Sequence, residues 1–325
     1  MPTTHTYDVS TLGEAMLRIA VGPGISLDAA DSATLHAAGA ESNLACALAS
    51  LGRKVAWASR LPNNALGRHV ATTLCGAGVD LSHVMWCDSG RLGTFFVEHE
   101  PPPTPLRVTY DRADSCATQM TPESVDWSRL LNTRLLHLTG ITPALSADCL
   151  ATVQHAITQA RSAGVPISFD INFRQKLWSA DRAREVLLPL IRNVDLLFIA
   201  TADAATVFNI SEGTPQHRIE TIRSRTGAKR VVMTIGNDGC VAWDGVQFLH
   251  QPALPTTVID RLGAGDALAA GVIHGWLENP DDFAKSLQYG AALAALCLRR
   301  HGDAVSCSPA ELQGLITQDD GRPKR

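Results

Sequence analysis

Short apolar runs alternate with helical patterns along most of this chain of 325 residues. A strand pattern covers residues 7–20, a helix of small residues follows at 39–52, and a second helix covers 65–75. The alternation resumes at residue 134 and continues to a long helix near 283–299. Strands that alternate with helices form a mostly parallel sheet covered by helices. The sequence therefore predicts an α/β fold.

Residues 92–118 interrupt this alternation. The patterns at 94–98 and 107–110 predict two strands of a hairpin around three prolines at 101–103, and neither strand is followed by a helix. Such an antiparallel insertion often covers a binding site as a lid, and the alternative is a surface ribbon. Three polar residues at its exit favour the lid: Tyr110, Arg112 and Ser115.

The bulk composition excludes several classes of protein. A formal net charge of −4 argues against a nucleic-acid partner, which normally requires a basic patch. No apolar run approaches the roughly 20 residues that cross a bilayer, and the N-terminal sequence does not resemble a signal peptide. The eight cysteines include no C-x-x-C pair, and the histidines lack metal-ligand spacing. We therefore expect a cytoplasmic protein with no nucleic-acid or membrane partner and no structural metal site.

Residues 258–268 contain the strongest candidate for a functional site. Gly263, Ala264 and Gly265 directly precede a carboxylate, Asp266, and an amphipathic helix. Small residues let the backbone approach a ligand, and the unpaired N–H groups at a helix start favour an anion. Asp266 is either a catalytic base beside a transferring phosphoryl group or an ordinary acidic residue in a first helical turn. The stretch alone leaves both interpretations open.

Three loops each follow a predicted strand, at 170–174, 234–239 and 263–266. Ligands bind beyond the carboxyl ends of the strands in a doubly wound sheet, so we expect these loops to converge. Their arginine, glycines and helix start suit a phosphate group. The chain has no Walker loop and no G-x-G-x-x-G after the first strand, so the usual nucleotide fingerprints are absent.

Several residues near these loops have both a functional and an ordinary interpretation. Asn172 can form an Asx turn, and Gly236 and Gly239 can form a simple turn. Arg174 is either a surface arginine or a ligand-binding group just past a strand end. Asn43 lies inside an apolar helix, where asparagine is unfavourable unless its amide is used.

Two polar pairs near the lid are similarly ambiguous. Glu14 and Arg18 fit a salt bridge on one face of a strand. Tyr110 and Arg112 are each ordinary residues, but together on a lid they can clamp a polar ligand.

Two motifs make the chain resemble the ribokinase-like (PfkB) sugar kinases. That family carries an early G-G-x-x-x-N-x-A element and a late D-x-x-G-A-G-D signature, and this chain has AGAESNLA at 38–45 and DRLGAGD at 260–266. The resemblance covers residues 8–312. Within the family the chain is most similar to 2-keto-3-deoxygluconate kinases. The supporting stretches are Gly13–Arg18, residues 39–41, Tyr110–Arg112 with Ser115, and Asp170–Arg174 with Leu177 and Trp178.

The resemblance implies a ribokinase-like three-layer α/β/α fold, with a mostly parallel central sheet and a small antiparallel β lid. It implies a single kinase domain over residues 1–325, with lid segments near 14–36 and 92–118. It also allows a homodimer formed through the lid.

The implied activity is the ATP-dependent phosphorylation of a sugar hydroxyl, with Mg²⁺ accompanying ATP. Asp266 would accept the hydroxyl proton, while N–H groups of Gly263, Ala264 and Gly265 would hold the charge on the transferred phosphoryl group. The residues that would contact the sugar acid are Gly39, Ala40, Asn43, Tyr110, Arg112, Arg174 and Asp266. Those that would contact the nucleotide are Asn172, Arg174, Thr234, Gly236, Gly239, Gly263 and Gly265.

The two arginines on the acceptor side suit the carboxylate of an aldonic acid. The favoured acceptor is therefore 2-keto-3-deoxygluconate, converted to its 6-phosphate. One alternative is a kinase for another sugar, such as fructose, ribose or a nucleoside. A second alternative is a non-catalytic sugar-acid sensor with the same fold.

The chain departs from the family pattern at three places. Ala38 replaces the first glycine of the early element, and Arg261 stands where Thr or Ser is more frequent. The family's N-x-x-E element, which helps to organise magnesium, aligns with residues 201–204, and its glutamate is missing. Asp203 can substitute in part, or ATP can hold most of the magnesium shell, because Mg²⁺ takes few protein ligands.

Overall fold

The computed structural model describes residues 5–99 and 106–317. The strands within these ranges are β1 (Val9–Leu12), β2 (Met16–Ala20), β3 (Thr34–Ala38), β4 (Val55–Pro62), β5 (Val84–Cys87), β6 (Thr94–Glu98), β7 (Arg107–Asp111), β8 (Leu136–Thr139), β9 (Ile167–Asp170), β10 (Leu196–Ala200), β11 (Arg230–Thr234), β12 (Cys240–Trp243) and β13 (Phe248–Gln251). The α-helices are α1 (Ala40–Ser50), α2 (Ala65–Gly76), α3 (Trp127–Leu130), α4 (Ala147–Ser162), α5 (Ala180–Leu190), α6 (Thr201–Phe208), α7 (Pro215–Thr226), α8 (Ala264–Glu278), α9 (Phe283–Leu298) and α10 (Pro309–Thr317).

A nine-stranded sheet forms the centre of the molecule, in the order β13-β12-β11-β10-β9-β8-β1-β4-β5. Neighbouring strands from β5 to β11 pair in parallel. At the other edge, β12 and β13 form antiparallel pairs. This arrangement confirms the predicted α/β fold with a mostly parallel central sheet.

Helices cover both faces of the central sheet. On one face, Leu44 of α1, Val272 of α8 and Leu293 of α9 belong to one apolar core. On the opposite face, Val153 of α4 and Leu187 of α5 belong to a second core. The two cores enclose the sheet and confirm the three-layer arrangement. Within the described ranges, none of the helices combines the length and apolar character needed to cross a bilayer.

The strand pattern at 7–20 corresponds to two strands in two different sheets. β1 lies in the central sheet, whereas β2 lies in the small sheet. The pattern therefore contains two strands, because the chain leaves the central sheet at Gly13. A Cβ atom on Gly13 would lie 2.3 Å from the carboxyl carbon of Glu41. The Glu41 side chain of α1 therefore leaves space only for glycine at this position.

The small sheet has the order β3-β2-β6-β7 and is called the lid sheet below. The pairs β2–β3 and β6–β7 are antiparallel, and a parallel pairing of β2 with β6 joins them. Met16, Phe95 and Val97 form its apolar face, against which Leu262 packs. The lid sheet therefore lies against the segment that precedes α8. The predicted turn at prolines 101–103 falls outside the described residues.

Candidate active site

The turn before α8 brings a carboxylate to the start of a buried helix. Gly263 precedes the helix with a φ of 82°, a conformation that favours glycine. A Cβ atom at this position would also lie 2.0 Å from the backbone oxygen of Asp303, so a side chain has no space. Asp266 follows in the first helical turn and is 8% exposed. Its carboxylate is therefore held near the unpaired N–H groups of the helix start.

Two asparagines bind the carboxylate of Asp266. Asn43 Nδ2 donates to Asp266 Oδ2 at 2.8 Å, which is the use of the amide expected inside α1. Asn172 Nδ2 donates to Asp266 Oδ1 at 3.5 Å and to Asp170 Oδ2 at 3.1 Å. The loop after β9 and the turn before α8 thus meet, as predicted. The expectation that this turn directly follows a strand is wrong, since β13 ends at Gln251 and the described residues between it and α8 contain no strand.

The carboxyl groups of this cluster have raised pKa values. Burial raises the pKa of Asp266 to about 7, although the hydrogen bond from Asn43 lowers it. Burial and the nearby charges of Asp266 and Asp203 raise the pKa of Asp170 to about 8. A carboxylate with a pKa near neutrality is a stronger base than an exposed aspartate, and it can accept a proton from a hydroxyl group.

A small cavity of about 50 Å³ lies beside Asp266. All seven residues predicted to contact a sugar acid line it: Gly39, Ala40, Asn43, Tyr110, Arg112, Arg174 and Asp266. A larger neighbouring cavity of about 530 Å³ shares Tyr110, Arg112 and Arg174 with it. The two spaces together are called the acceptor cavity below. Ala38 and Gly263 also line its smaller part.

The two arginines of the acceptor cavity differ in their partners. Arg112 binds Glu14 through Nε at 2.8 Å and also through Nη2, and Ser115 Oγ donates to the same carboxylate at 2.5 Å. The guanidinium of Arg174 has no hydrogen-bond or ion-pair partner among residues 5–99 and 106–317. Arg174 is therefore the free cation, whereas Arg112 is held in place by a carboxylate that is 2% exposed.

The predicted salt bridge between Glu14 and Arg18 is wrong. Glu14 lies between β1 and β2 and pairs with Arg112, whereas Arg18 lies on β2 and pairs with Asp260 and Asp303. All three true partners are remote in sequence, so the four-residue spacing gave no information about them.

A second carboxylate of the early motif is also buried. Glu41 is 1% exposed and accepts hydrogen bonds from the hydroxyls of Thr139 at 2.7 Å and Thr142 at 2.6 Å. Burial raises its pKa. These bonds fix the start of α1, which carries Gly39, Ala40 and Asn43 into the acceptor cavity. Sequence reasoning missed this role, since the hydroxyl partners lie at the end of β8 and just after it, far from Glu41 in the sequence.

A different cavity of about 260 Å³ lies on the other side of the turn before α8, and we call it the nucleotide cavity. Its lining includes the predicted nucleotide residues Thr234, Gly236, Gly239 and Gly265, together with Ala264. Several small apolar residues complete it: Ala253, Leu254, Ala291, Ala295 and Leu298. The other predicted nucleotide residues, Asn172, Arg174 and Gly263, do not line this cavity. Gly263 and Arg174 line the acceptor cavity instead.

Arg261 is a residue whose place the sequence did not reveal. It is exposed and lines the nucleotide cavity beside Ala264 and Gly265. The sequence marked this position only because Arg261 replaces the Thr or Ser that is more frequent in the family. An arginine here adds a positive charge next to the helix start.

The position of the missing glutamate is filled by apolar packing. Ala204 is 0% exposed, so it lies in the core behind the site. Asp203, one residue earlier, accepts a hydrogen bond from Phe173 N at 3.2 Å. Its carboxylate thus reaches the loop that carries Asn172 and Arg174.

A buried carboxylate at a helix start, with a cavity on either side, is an arrangement suited to phosphoryl transfer to a hydroxyl group. The model of the pfkB family of carbohydrate kinases matches residues 8–311, and the chain belongs to this family. It is 34% identical over 315 residues to a 2-dehydro-3-deoxygalactonokinase of Haloferax volcanii, with 97% of this chain and 98% of the relative covered. It is also 32% identical over 318 residues to a 2-dehydro-3-deoxygluconokinase of Bacillus subtilis, covering 96% of this chain and 93% of the relative.

A solved structure agrees with these relatives. The structure of a 2-dehydro-3-deoxygluconokinase from Thermotoga maritima matches with a TM-score of 0.90 and 29% identity. The match covers 96% of this chain and 99% of that one. The chain is therefore a carbohydrate kinase with the ribokinase-like fold.

Proposed function

We propose that this kinase transfers the γ-phosphoryl group of ATP to 2-keto-3-deoxygluconate and forms its 6-phosphate. The observation that carries the proposal is the lining of the acceptor cavity, which combines the base Asp266 with the arginines 112 and 174. The base suits a hydroxyl group and the arginines suit a carboxylate, so the cavity fits a molecule that has both. A neutral sugar would leave the free guanidinium of Arg174 without an anionic partner.

In the proposed reaction Asp266 accepts the proton of the attacking hydroxyl group. The hydroxyl oxygen forms a bond to the γ-phosphorus, and the bond between that phosphorus and the leaving oxygen of ADP breaks. Backbone N–H groups at Gly263, Ala264 and Gly265 stabilise the charge that develops on the transferred phosphoryl oxygens. Asn43 and Asn172 hold the carboxylate of Asp266 in position for this step.

The adenine side of ATP fits the nucleotide cavity, and kinases of this family use ATP. Small apolar side chains there leave space for a flat ring, while Thr234, Gly236 and Gly239 offer backbone and hydroxyl groups. Arg261 would contact the phosphates. These are the contacts we propose for the nucleotide.

Mg²⁺ would accompany ATP and neutralise phosphate charge during transfer. Asp170 and Asp203 would supply the oxygen ligands that Mg²⁺ prefers. Burial raises the pKa of both groups, and the nearby charges of Asp266 and Asp203 raise that of Asp170 further. The cation would relieve that repulsion. Because Mg²⁺ keeps several waters, these two side chains suffice without a glutamate at position 204.

A second acceptor is favoured by one observation. The relative from Haloferax volcanii, at 34% identity, is a kinase of the galacto epimer, 2-keto-3-deoxygalactonate. Both epimers carry the same carboxylate and the same terminal hydroxyl, so the arginines and Asp266 serve either one.

A substrate panel measured by coupled ADP release tests the proposal. It contains the gluco and galacto acids, fructose, ribose and a nucleoside at equal concentration. We expect the gluco acid to give the highest kcat/KM, followed by the galacto acid. A higher kcat/KM with fructose or ribose would refute the acid-specific assignment, and the absence of turnover with every acceptor would support the sensor alternative.

We also propose a cytoplasmic homodimer that pairs through the lid sheet. Three apolar side chains on the segments that lead into and form β3 are exposed, namely Ile25, Leu27 and Leu35, at 46%, 37% and 49%. Light scattering after size exclusion tests this assembly. A monomer at micromolar concentration would contradict it, whereas a dimer that dissociates in Leu35→Lys would support it.

A further inference from the structure

Arg18 is a fully buried arginine outside the set of residues with a proposed role. It lies on β2 of the lid sheet and is 0% exposed. Its Nη2 donates to Asp260 Oδ2 at 2.5 Å, and its Nη1 donates to Asp303 Oδ1 at 2.5 Å. One guanidinium thus joins two carboxylates that are 1% and 8% exposed. Arginine is almost never buried so completely unless its charge is paired, and removing one member of such a pair is costly.

Both aspartates contact the turn before α8, Asp260 through its carboxylate and Asp303 through its backbone. Asp260 Oδ1 accepts a hydrogen bond from Leu262 N at 3.1 Å, and its Oδ2 accepts one from Gly302 N at 3.2 Å. Asp303 touches the turn through its backbone oxygen, which leaves no space for a side chain on Gly263. Arg18 therefore connects the lid sheet to both segments that frame the anion-binding turn.

Arg18 itself does not line the cavity beside Asp266. It borders a different cavity of about 290 Å³, together with His36, His99 and His301. Asp303 and Gly263, by contrast, both line the acceptor cavity. Any influence of Arg18 on the reaction must pass through Asp260, Asp303 and the turn that they hold.

The guanidinium of Arg18 also lies at a cluster of side chains that could otherwise hold a metal ion. His99, Asp260 and His301 bring possible ligand atoms within 4.8 Å of one another. However, Arg18 Nη2 already lies 2.9 Å from His99 Nε2 and 2.5 Å from Asp260 Oδ2. A cation bound there would have to displace a buried arginine, so the cation of this cluster is the guanidinium.

We propose that Arg18 is a positioning residue for phosphoryl transfer, which holds Asp260 and Asp303 together and so fixes the anion-binding turn against the lid sheet. This inference rests on the proposed transfer at Asp266. Without Arg18, two buried carboxylates would repel each other and the incoming phosphates. The turn would then move, and its N–H groups would no longer match the transferred phosphoryl group.

The test compares Arg18→Met and Arg18→Lys with wild type, using the acceptor that wild type phosphorylates fastest. Arg18→Met should lose about 100-fold in kcat with little change in either KM, since a small misplacement of the turn affects the transition state most. The Arg18→Lys variant keeps a cation, but its single ammonium group reaches only one carboxylate. Its kcat should therefore lie between those of wild type and Arg18→Met. The control is Arg91→Met, which removes an exposed lid arginine paired with Asp111 and should leave kcat unchanged.

A purely structural role would give a different result. In that case the variants would melt at lower temperature, but the folded fraction at low temperature would keep the kcat of wild type, and the inference would be overturned. Guanidinium chloride at low millimolar concentration should restore part of the kcat of Arg18→Ala if the missing cation is the cause. If Arg18→Met does not fold, the kcat of Arg18→Lys decides the matter alone. Absence of turnover by wild type would contradict the proposed function, whereas an active wild type and an equally active Arg18→Lys would contradict the role of Arg18.

Discussion

The acceptor cavity and the nucleotide cavity lie on opposite sides of one turn and are built in opposite ways. The acceptor cavity is lined by charged groups, most of which have a fixed partner, as Glu14 has in Arg112 and Asp266 has in Asn43. The nucleotide cavity is lined mainly by small apolar side chains, and Arg261 is its charged member within the described ranges. The same turn supplies Gly263 to one cavity and Gly265 to the other.

This difference separates two kinds of recognition. Paired charges hold the acceptor cavity in shape without a ligand, so a change that leaves one member of a buried pair without its partner lowers stability as well as activity. A cavity formed by small side chains and backbone recognises its ligand by shape, so a change there affects binding alone. The predictions below test this separation.

The largest effect is expected at Asp266. Asp266→Asn removes the base but keeps the size of the side chain, so kcat should fall roughly 10²- to 10⁴-fold, while calorimetry should still detect binding of the sugar acid. Asp181→Asn, a change of the same kind at an exposed site on α5, is the control. If Asp266→Asn turned over at the rate of wild type, Asp266 would not be the base.

The two arginines of the acceptor cavity should respond differently to truncation. Each alanine variant loses a charge-assisted bond to the acid, so each KM should rise roughly 10- to 100-fold. Arg112→Ala should also lower the free energy of unfolding by about 3 kcal/mol, because the buried Glu14 loses its partner. Arg174→Ala should leave the unfolding free energy unchanged. Kinetic assays and denaturant unfolding of both variants check this prediction. Equal unfolding free energies for the two variants would contradict the distinction between a paired and an unpaired arginine.

The pH profile should report the buried base. Burial raises the pKa of Asp266 to about 7, with Asn43 and Arg174 acting to lower it and Asp303 and Glu41 acting to raise it. The base works only when deprotonated, so activity is lost as pH falls through about 7. We expect kcat/KM to drop roughly tenfold per pH unit below that point. A profile that stays flat down to about pH 5 would contradict the raised pKa.

The smallest effect is expected in the nucleotide cavity. Ala295→Leu on α9 adds three carbons to its lining, so the KM for ATP should rise several-fold, with the KM for the acid and the melting temperature nearly unchanged. The KM for the acid, measured in the same experiment, is the internal control. A similar rise in both values would mean that the two cavities are not separate.

Much of the fold could be predicted because its signals are local. The alternation of strands and helices, the glycines before Asp266 and the loops at strand ends all depend on neighbouring residues. The parallel sheet puts the loops after β9 and β11 at one edge, and there Asn172 comes within reach of Asp266. The asparagine inside α1 was recognisable because an apolar helix rarely contains one.

The parts that sequence could not reveal depend on distant contacts. The partners of Glu14 and Arg18 lie 98 and 242 or more residues away, and a spacing of four residues suggested the wrong pair. The requirement for glycine at position 13, between β1 and β2, is set by the Glu41 side chain of α1, which fills the space there. The edge strand β5 and the terminal helix α10 were missed because they are short and partly exposed.

The passage from β1 to β2 limits how the lid sheet can move. Residues 13–15 are the entire connection between a buried strand of the central sheet and a strand of the lid sheet. Fully extended, that connection spans at most about 14 Å between the Cα atoms of Leu12 and Met16. The root of the lid sheet therefore cannot translate away from the core to admit ligands. The strand β3 is tied to the core just as closely, since Gly39 alone separates it from α1. Access to the acceptor cavity is therefore expected from rotation about these two short connections, with the largest amplitude at β7 on the opposite edge of the sheet.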